Sequence, residues 1–214
     1  MSSTLWILIA TALALQASPA PLLDLTNVPV RHRLREPVTA TGSGHMEGYQ
    51  GSPPPSPVAL QIRSLEKSGS PDMAIAELEI RNTSSRHLEI PVDPSSRDLE
   101  PASPSTPYQY LSAYLWLLPE PDAEQKMPAT GLHLYGSKAV PGTLRDLPPG
   151  EAIRVRAKIP IAPTTSVAMS EAPKMRAFLA LFDESMKPGK DGIHSNTEEL
   201  LPTISSANVA EFPL

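Results

Sequence analysis

LPPGEAIRVRAKIPI, residues 147–161, carries the clearest period-two pattern in the chain. Ile153, Val155, Ala157, Ile159 and Ile161 fall on one side and Arg154, Arg156 and Lys158 on the other, so the stretch predicts a strand with one face in a core and one in water. Pro149-Gly150 just ahead supplies turn chemistry, and the next runs outward repeat the theme. VALQIRSL (58–65) sets Val58, Leu60 and Ile62 together, and AIAELEIRN (74–82) alternates Ala76, Leu78 and Ile80 with Glu77, Glu79 and Arg81. After the polar turn NTSSR (82–86), HLEIPV (87–92) alternates Leu88, Ile90 and Val92 with His87, Glu89 and Pro91. Two amphipathic runs about a short turn predict a hairpin, with Pro91 putting the second strand at an edge or ending its pairing early. LHLY (132–135), MRAFLALF (175–182) and NVAEFPL (208–214) add further strands, and a turn of helix is expected only around residues 196–200.

These runs predict an all-β chain, a single antiparallel β-sandwich of about seven or eight strands over residues 58–214, because no crossover helices separate them. Proline supports this: 26 prolines in 214 residues is about 12%, over twice average usage, and interior prolines break helices. The turns N-T-S-S-R and L-P-P-G-E, each beside an alternating strand, resemble those of immunoglobulin-like β-sandwich modules in exported bacterial proteins. A weaker resemblance runs to bacterial proteinase-inhibitor sandwich modules, but no inhibitory segment aligns. The resemblance implies a fold and assigns neither a function nor a site residue.

Upstream, the apolar run Leu5–Leu15 followed by Gln16 and small residues has the length of a secretory signal core and is too short to span a bilayer. Residues 1–17 are expected to be a signal peptide, cleaved after Ala17 in preference to Ala20 because Pro21 would follow the second. The expected location is secreted or periplasmic, with no membrane span after cleavage. The absence of cysteine suits a bacterial envelope and excludes disulfides and thiolate chemistry. Residues 18–57, rich in proline, glycine and serine, are expected to be a disordered linker. They hold the one basic cluster, Arg31, His32, Arg33 and Arg35, read as a solvated charge run. A net charge of −5 gives no support to a nucleic-acid partner.

Chemistry is thinly marked. His32, His45, His87, His133 and His194 show no metal-binding spacing, although His87 with Glu89 and His133 with Tyr135 share strand faces. Asp183, Glu184, Asp191 and His194 form the densest polar group, read as a hairpin loop with turn residues Pro188-Gly189 and Asp191-Gly192. Asn82-Thr83-Ser84 is a formal glycosylation acceptor, read as a turn. No catalytic residue, metal ligand or cofactor is assigned. The expected role is a non-catalytic exported protein acting on a protein or polysaccharide partner. The alternative is a hydrolase or metalloenzyme assembled from separated loops, with His133 or His194 beside Asp183 or Asp191.

One stretch suggests a binding face. In YQYLSAYLWLL (108–118), Tyr108, Tyr110, Tyr114 and Trp116 share a side with Ser112 and Leu118, while Leu111, Ala113, Leu115 and Leu117 share the other. Exposed, the aromatic row would stack sugars or dock a peptide. Buried, it would be turned toward an opposing sheet, with the leucines under a loop, and the strand would be central and covered on both faces.

Overall fold

A computed structural model describes residues 19–28, 56–70, 73–95, 107–120, 131–161, 173–189 and 192–213. Among the described residues the chain is all β, with no helix and eleven strands in three sheets. In chain order they are β1 (Leu22–Asp24), β2 (Val58–Lys67), β3 (Met73–Asn82), β4 (Leu88–Pro91), β5 (Tyr108–Pro119), β6 (Leu132–Gly136), β7 (Leu144–Leu147), β8 (Ala152–Pro160), β9 (Lys174–Gly189), β10 (Gly192–Ser205) and β11 (Ala210–Glu211). One sheet has the order β1-β8-β3-β2, a second the order β10-β9-β5-β6 with β11 also on β9, and β4 pairs β7 as a third.

The alternating runs bury the sides their pattern assigns. Leu60, Ile62, Ala76, Leu78, Ile80, Val155, Ala157 and Ile159 meet Ala113, Leu115, Leu117, Ala177 and Leu179 in one core between the first two sheets. Most of these side chains are fully buried, and burial at this density is the main favourable term of the fold.

The expected single antiparallel sandwich of seven or eight strands gives way to eleven strands in three sheets, one of them added in parallel, and two local expectations are corrected. β3 and β4 do not form a hairpin: both edges of β3 are taken, by β2 (Leu60↔Ile80) and by β8 (Leu78↔Val155), so β4 leaves to pair β7. Residues 196–200 are strand, held by register pairing such as Thr197↔Glu184 and Glu198↔Asp183. Within the expected linker, Leu22–Asp24 adds to β8 in parallel, with Leu23 opposite Val155. The reason is local. Leu25 enters the core at 4% exposure, and the Arg154 amide and guanidinium donate to the carbonyls of Pro21 and Ala20 at 2.8 and 3.0 Å. The segments 1–17 and 31–35 lie outside the described residues.

The Asn82 turn is structural. Its side chain is fully buried, its Nδ2 donates to the carbonyls of Arg86 and Leu147 at 2.6 and 2.8 Å, and its Oδ1 accepts from the Ser84 amide and hydroxyl. Both amide hydrogens are spent, so the folded chain offers none for a glycan bond.

On the outward face of the first sheet, Glu79 is a buried carboxylate between Arg63 and Arg81, whose guanidinium groups donate to it at 2.5–2.9 Å. Burial pushes its pKa up, but the hydrogen bonds from the two arginines outweigh that and hold it below the ordinary 4.5. A lowered folded-state pKa contributes stability that is full above the ordinary value and is lost as pH falls through the folded one. Chemical denaturation at stepped pH should therefore show stability declining below about pH 4.5, and Glu79→Gln should flatten that decline while costing about 1–2 kcal/mol at neutral pH.

Candidate functional site

β5 sits in the middle of the second sheet, paired to β6 through Ala113↔Leu134 and to β9 through Trp116↔Phe178. Cross-strand partners share a face. The face bearing Ala113, Leu115 and Leu117 enters the inter-sheet core. The aromatic face therefore turns away from the opposing sheet, the reverse of the orientation expected for a buried row, yet it is still closed: Trp116 is 0% and Tyr114 2% exposed.

That face has two parts. Near one end, Tyr114, Trp116 and Leu118 cluster with Phe178, Ala180 and Phe182. Trp116 stacks on Phe178 at 5.4 Å between centroids, and Tyr114 meets Trp116 at 5.2 Å and the His133 ring edge-on at 4.2 Å. Among the described residues no acceptor reaches Trp116 Nε1. Toward the other end, Tyr108 stacks on Tyr110 at 5.9 Å, and Tyr110 lies 6.0 Å from Tyr135, with Val140 and Met186 packed beside them. Here the Glu184 carboxylate accepts from the Tyr110 hydroxyl at 2.8 Å and the Ser112 hydroxyl at 2.5 Å. Tyr108 alone of the four keeps partial exposure.

The residues of the alternative site are not brought together where they are described. His133 pairs Tyr114, on the aromatic face, while Asp183 pairs Leu111, on the opposite face, where Gln109 donates to it at 2.7–2.8 Å. Asp191 and the His194 side chain lie outside the described residues. His87 meets Asp146 across the β4–β7 pair at 3.0 Å, and Glu89 instead meets Lys138 at 2.9 Å. Among the described residues no three potential ligands converge as a metal site would need.

The second feature of interest is an edge. β2 is closed by the segment after β10: Ala207 donates to the Leu60 carbonyl at 2.9 Å, and the Asn208 side chain accepts from the Ile62 amide and donates to its carbonyl. β8 is closed by β1, and β6 by Asp93, which exchanges two backbone hydrogen bonds with Tyr135. The outer edge of β10 has no such closure among the described residues. Its regular stretch from Gly192 to Glu199 leaves a row of backbone donors and acceptors facing outward, and two register shifts interrupt the pairing beyond it.

Phe178, Phe182 and Ser137, which support β5, were not identified from sequence. The alternation of residues 176–182 hinted at the phenylalanines, but their contact with Trp116 depends on the β5–β9 register. No protein-family model, no curated protein and no solved structure matches the chain.

Because Trp116 stands in a packed layer, Trp116→Ala should cost about 3–5 kcal/mol and lower Tm by roughly 6–20 °C for a chain of this size. Gly131→Ala should act in the same direction, since an added Cβ would lie 2.6 Å from Tyr114 Cζ and 2.8 Å from the Leu115 carbonyl oxygen. Calorimetry of both variants measures this, and an unchanged Tm for Trp116→Ala would refute the structural role.

Proposed function

We propose that the protein is an exported, non-catalytic binding or assembly module that receives its partner as an added strand along β10. The edge of β10, which no described residue pairs, beside β2, β6 and β8 edges that are each met by another segment, is the observation that carries this reading. Backbone groups on such an edge supply affinity without sequence-specific pockets, which is how β-augmentation works. An immunoglobulin-like reading of the module is supported by strand order: β2-β3-β8 opposite β10-β9-β5-β6 follows the A-B-E and G-F-C-C′ order of that sandwich. Parallel β1 and the separate β4–β7 pair depart from it. A polysaccharide role for the aromatic row has only Tyr108 to work with, because a stacking ring needs an open face.

Export is carried by the apolar run before Gln16. Intact mass of the protein recovered outside the cytoplasm should match a chain beginning at Ser18. A retained Met1 or purely cytoplasmic recovery would overturn that part. For the edge, p-benzoylphenylalanine placed at Thr197 on β10 should cross-link a partner in the producing cell. The same photoprobe at Lys158, on the outward face of β8, should not. Equal yields at the two positions would sink the β10 assignment.

A further inference from the structure

The two large sheets treat surface charge differently. On β2 and β3 every acidic side chain has an arginine: Glu66 with Arg156, Glu77 with Arg154, Glu79 with Arg63 and Arg81. On the β9–β10 hairpin the rungs Thr197↔Glu184, Glu198↔Asp183 and Glu199↔Phe182 gather four carboxylates, Asp183 and Glu198 on one face and Glu184 and Glu199 on the other. Their partners are neutral. Asp183 accepts from Gln109, Glu184 from Tyr110 and Ser112, and Glu199 from the Thr203 hydroxyl at 3.3 Å. None of the four forms an ion pair among the described residues. Glu198 directly faces Asp183, an arrangement that costs stability when left uncompensated. Along β9 the next cation toward the turn is Lys187, three residues beyond Glu184 and four beyond Asp183, about 10 and 14 Å of strand away.

We propose that the strand accepted by β10 is basic: an extended segment of a partner protein with lysine or arginine opposite Glu198 and Glu199. This rests on the β10 reading above and adds the chemistry of the occupant. An added strand lies about 4.8 Å from β10, with facing Cβ atoms about 5 Å apart. Glu198 and Glu199 project to opposite faces, so consecutive basic residues meet both. Asp183 and Glu184, one strand further in at about 10 Å, still lie within roughly a Debye length. A second copy of the chain fits badly, because two β10 edges would set their carboxylates against each other. Uncompensated negative charge therefore favours a basic partner strand and opposes self-pairing.

The test uses the mature protein and two blocked peptides, Thr-Val-Thr-Lys-Arg-Thr-Val-Thr and its counterpart with Glu-Glu at the centre, with binding and amide exchange read together. The Lys-Arg peptide should bind about ten-fold more tightly, lose most of that margin near roughly 0.5 M salt, and slow exchange in residues 196–200. Glu198→Lys combined with Glu199→Lys should reverse the preference. Equal binding of both peptides with β10 protected overturns the basic occupant and leaves the edge reading standing. Exchange in β10 unchanged by either peptide overturns both. The chain's own run Arg31-His32-Arg33-Leu34-Arg35 has the same chemistry. If replacing its three arginines with serine tightens the Lys-Arg peptide about ten-fold, that run already competes for the edge and the partner-protein assignment is overturned.

Discussion

β5 must be satisfied on four sides at once, and much of the second half of the chain is arranged to do it. Its two edges are paired by β6 and β9 over long registers. Its aliphatic side fills the core between sheets, and its aromatic side forms a separate layer with Phe178, Ala180 and Phe182. A strand buried on both faces has no tolerance for a register slip, since a shift of one residue would drive Tyr114 and Trp116 into the space filled by Ala113 and Leu115. The rings are much larger than the residues they would displace. The neighbours are shaped accordingly: Gly131 leaves room for the Tyr114 ring just before β6, and Gly136 lets the Thr143 carbonyl approach where β6 ends.

What was legible in the sequence follows from this. Strands with one wet face announce themselves through alternation, and β2, β3 and β8 bury the sides their patterns assign. β5 and β9 are apolar on both sides, so their strand character could be read but not which face meets the opposing sheet. That choice depends on what lies across the core, where Leu78, Val155 and Ala157 meet the small Ala113 and Ala177. Pairing partners were less legible still. The turn after β3 looks like a hairpin turn, yet Asn82 uses it to bind the Leu147 carbonyl 65 residues away, and that long-range bond directs β4 elsewhere. β1 was missed for a similar reason. A three-residue strand has no period to detect, and its contacts with Arg154 and Arg156 exist only once β8 is in place. For the candidate edge, Asp183 and Glu184 were visible in a polar group, but the loop reading hid the ladder that sets Glu198 opposite Asp183.

The small devices at the sheet borders explain why β10 stands out. An exposed edge is an invitation to pair with another chain, and this protein closes three edges with very little material: one asparagine side chain, one aspartate backbone and a three-residue strand. None of these is a general consequence of packing. Asn208 reproduces both hydrogen bonds that a neighbouring strand would give Ile62, beside the bulge that interrupts the β2–β3 register.

Charge completes the argument. Glu66, Glu77 and Glu79 sit on a face where cross-strand arginines neutralise them, which is the arrangement expected of a finished surface. Asp183, Glu184, Glu198 and Glu199 lie on a hairpin whose pairing sets two of them directly opposite each other, with only neutral donors nearby. Such a cluster is tolerable when solvated, yet it carries an electrostatic cost that a cation directly opposite Glu198 would relieve. At an edge that no described residue pairs, that cost is what the proposed basic strand would relieve and a second β10 would increase.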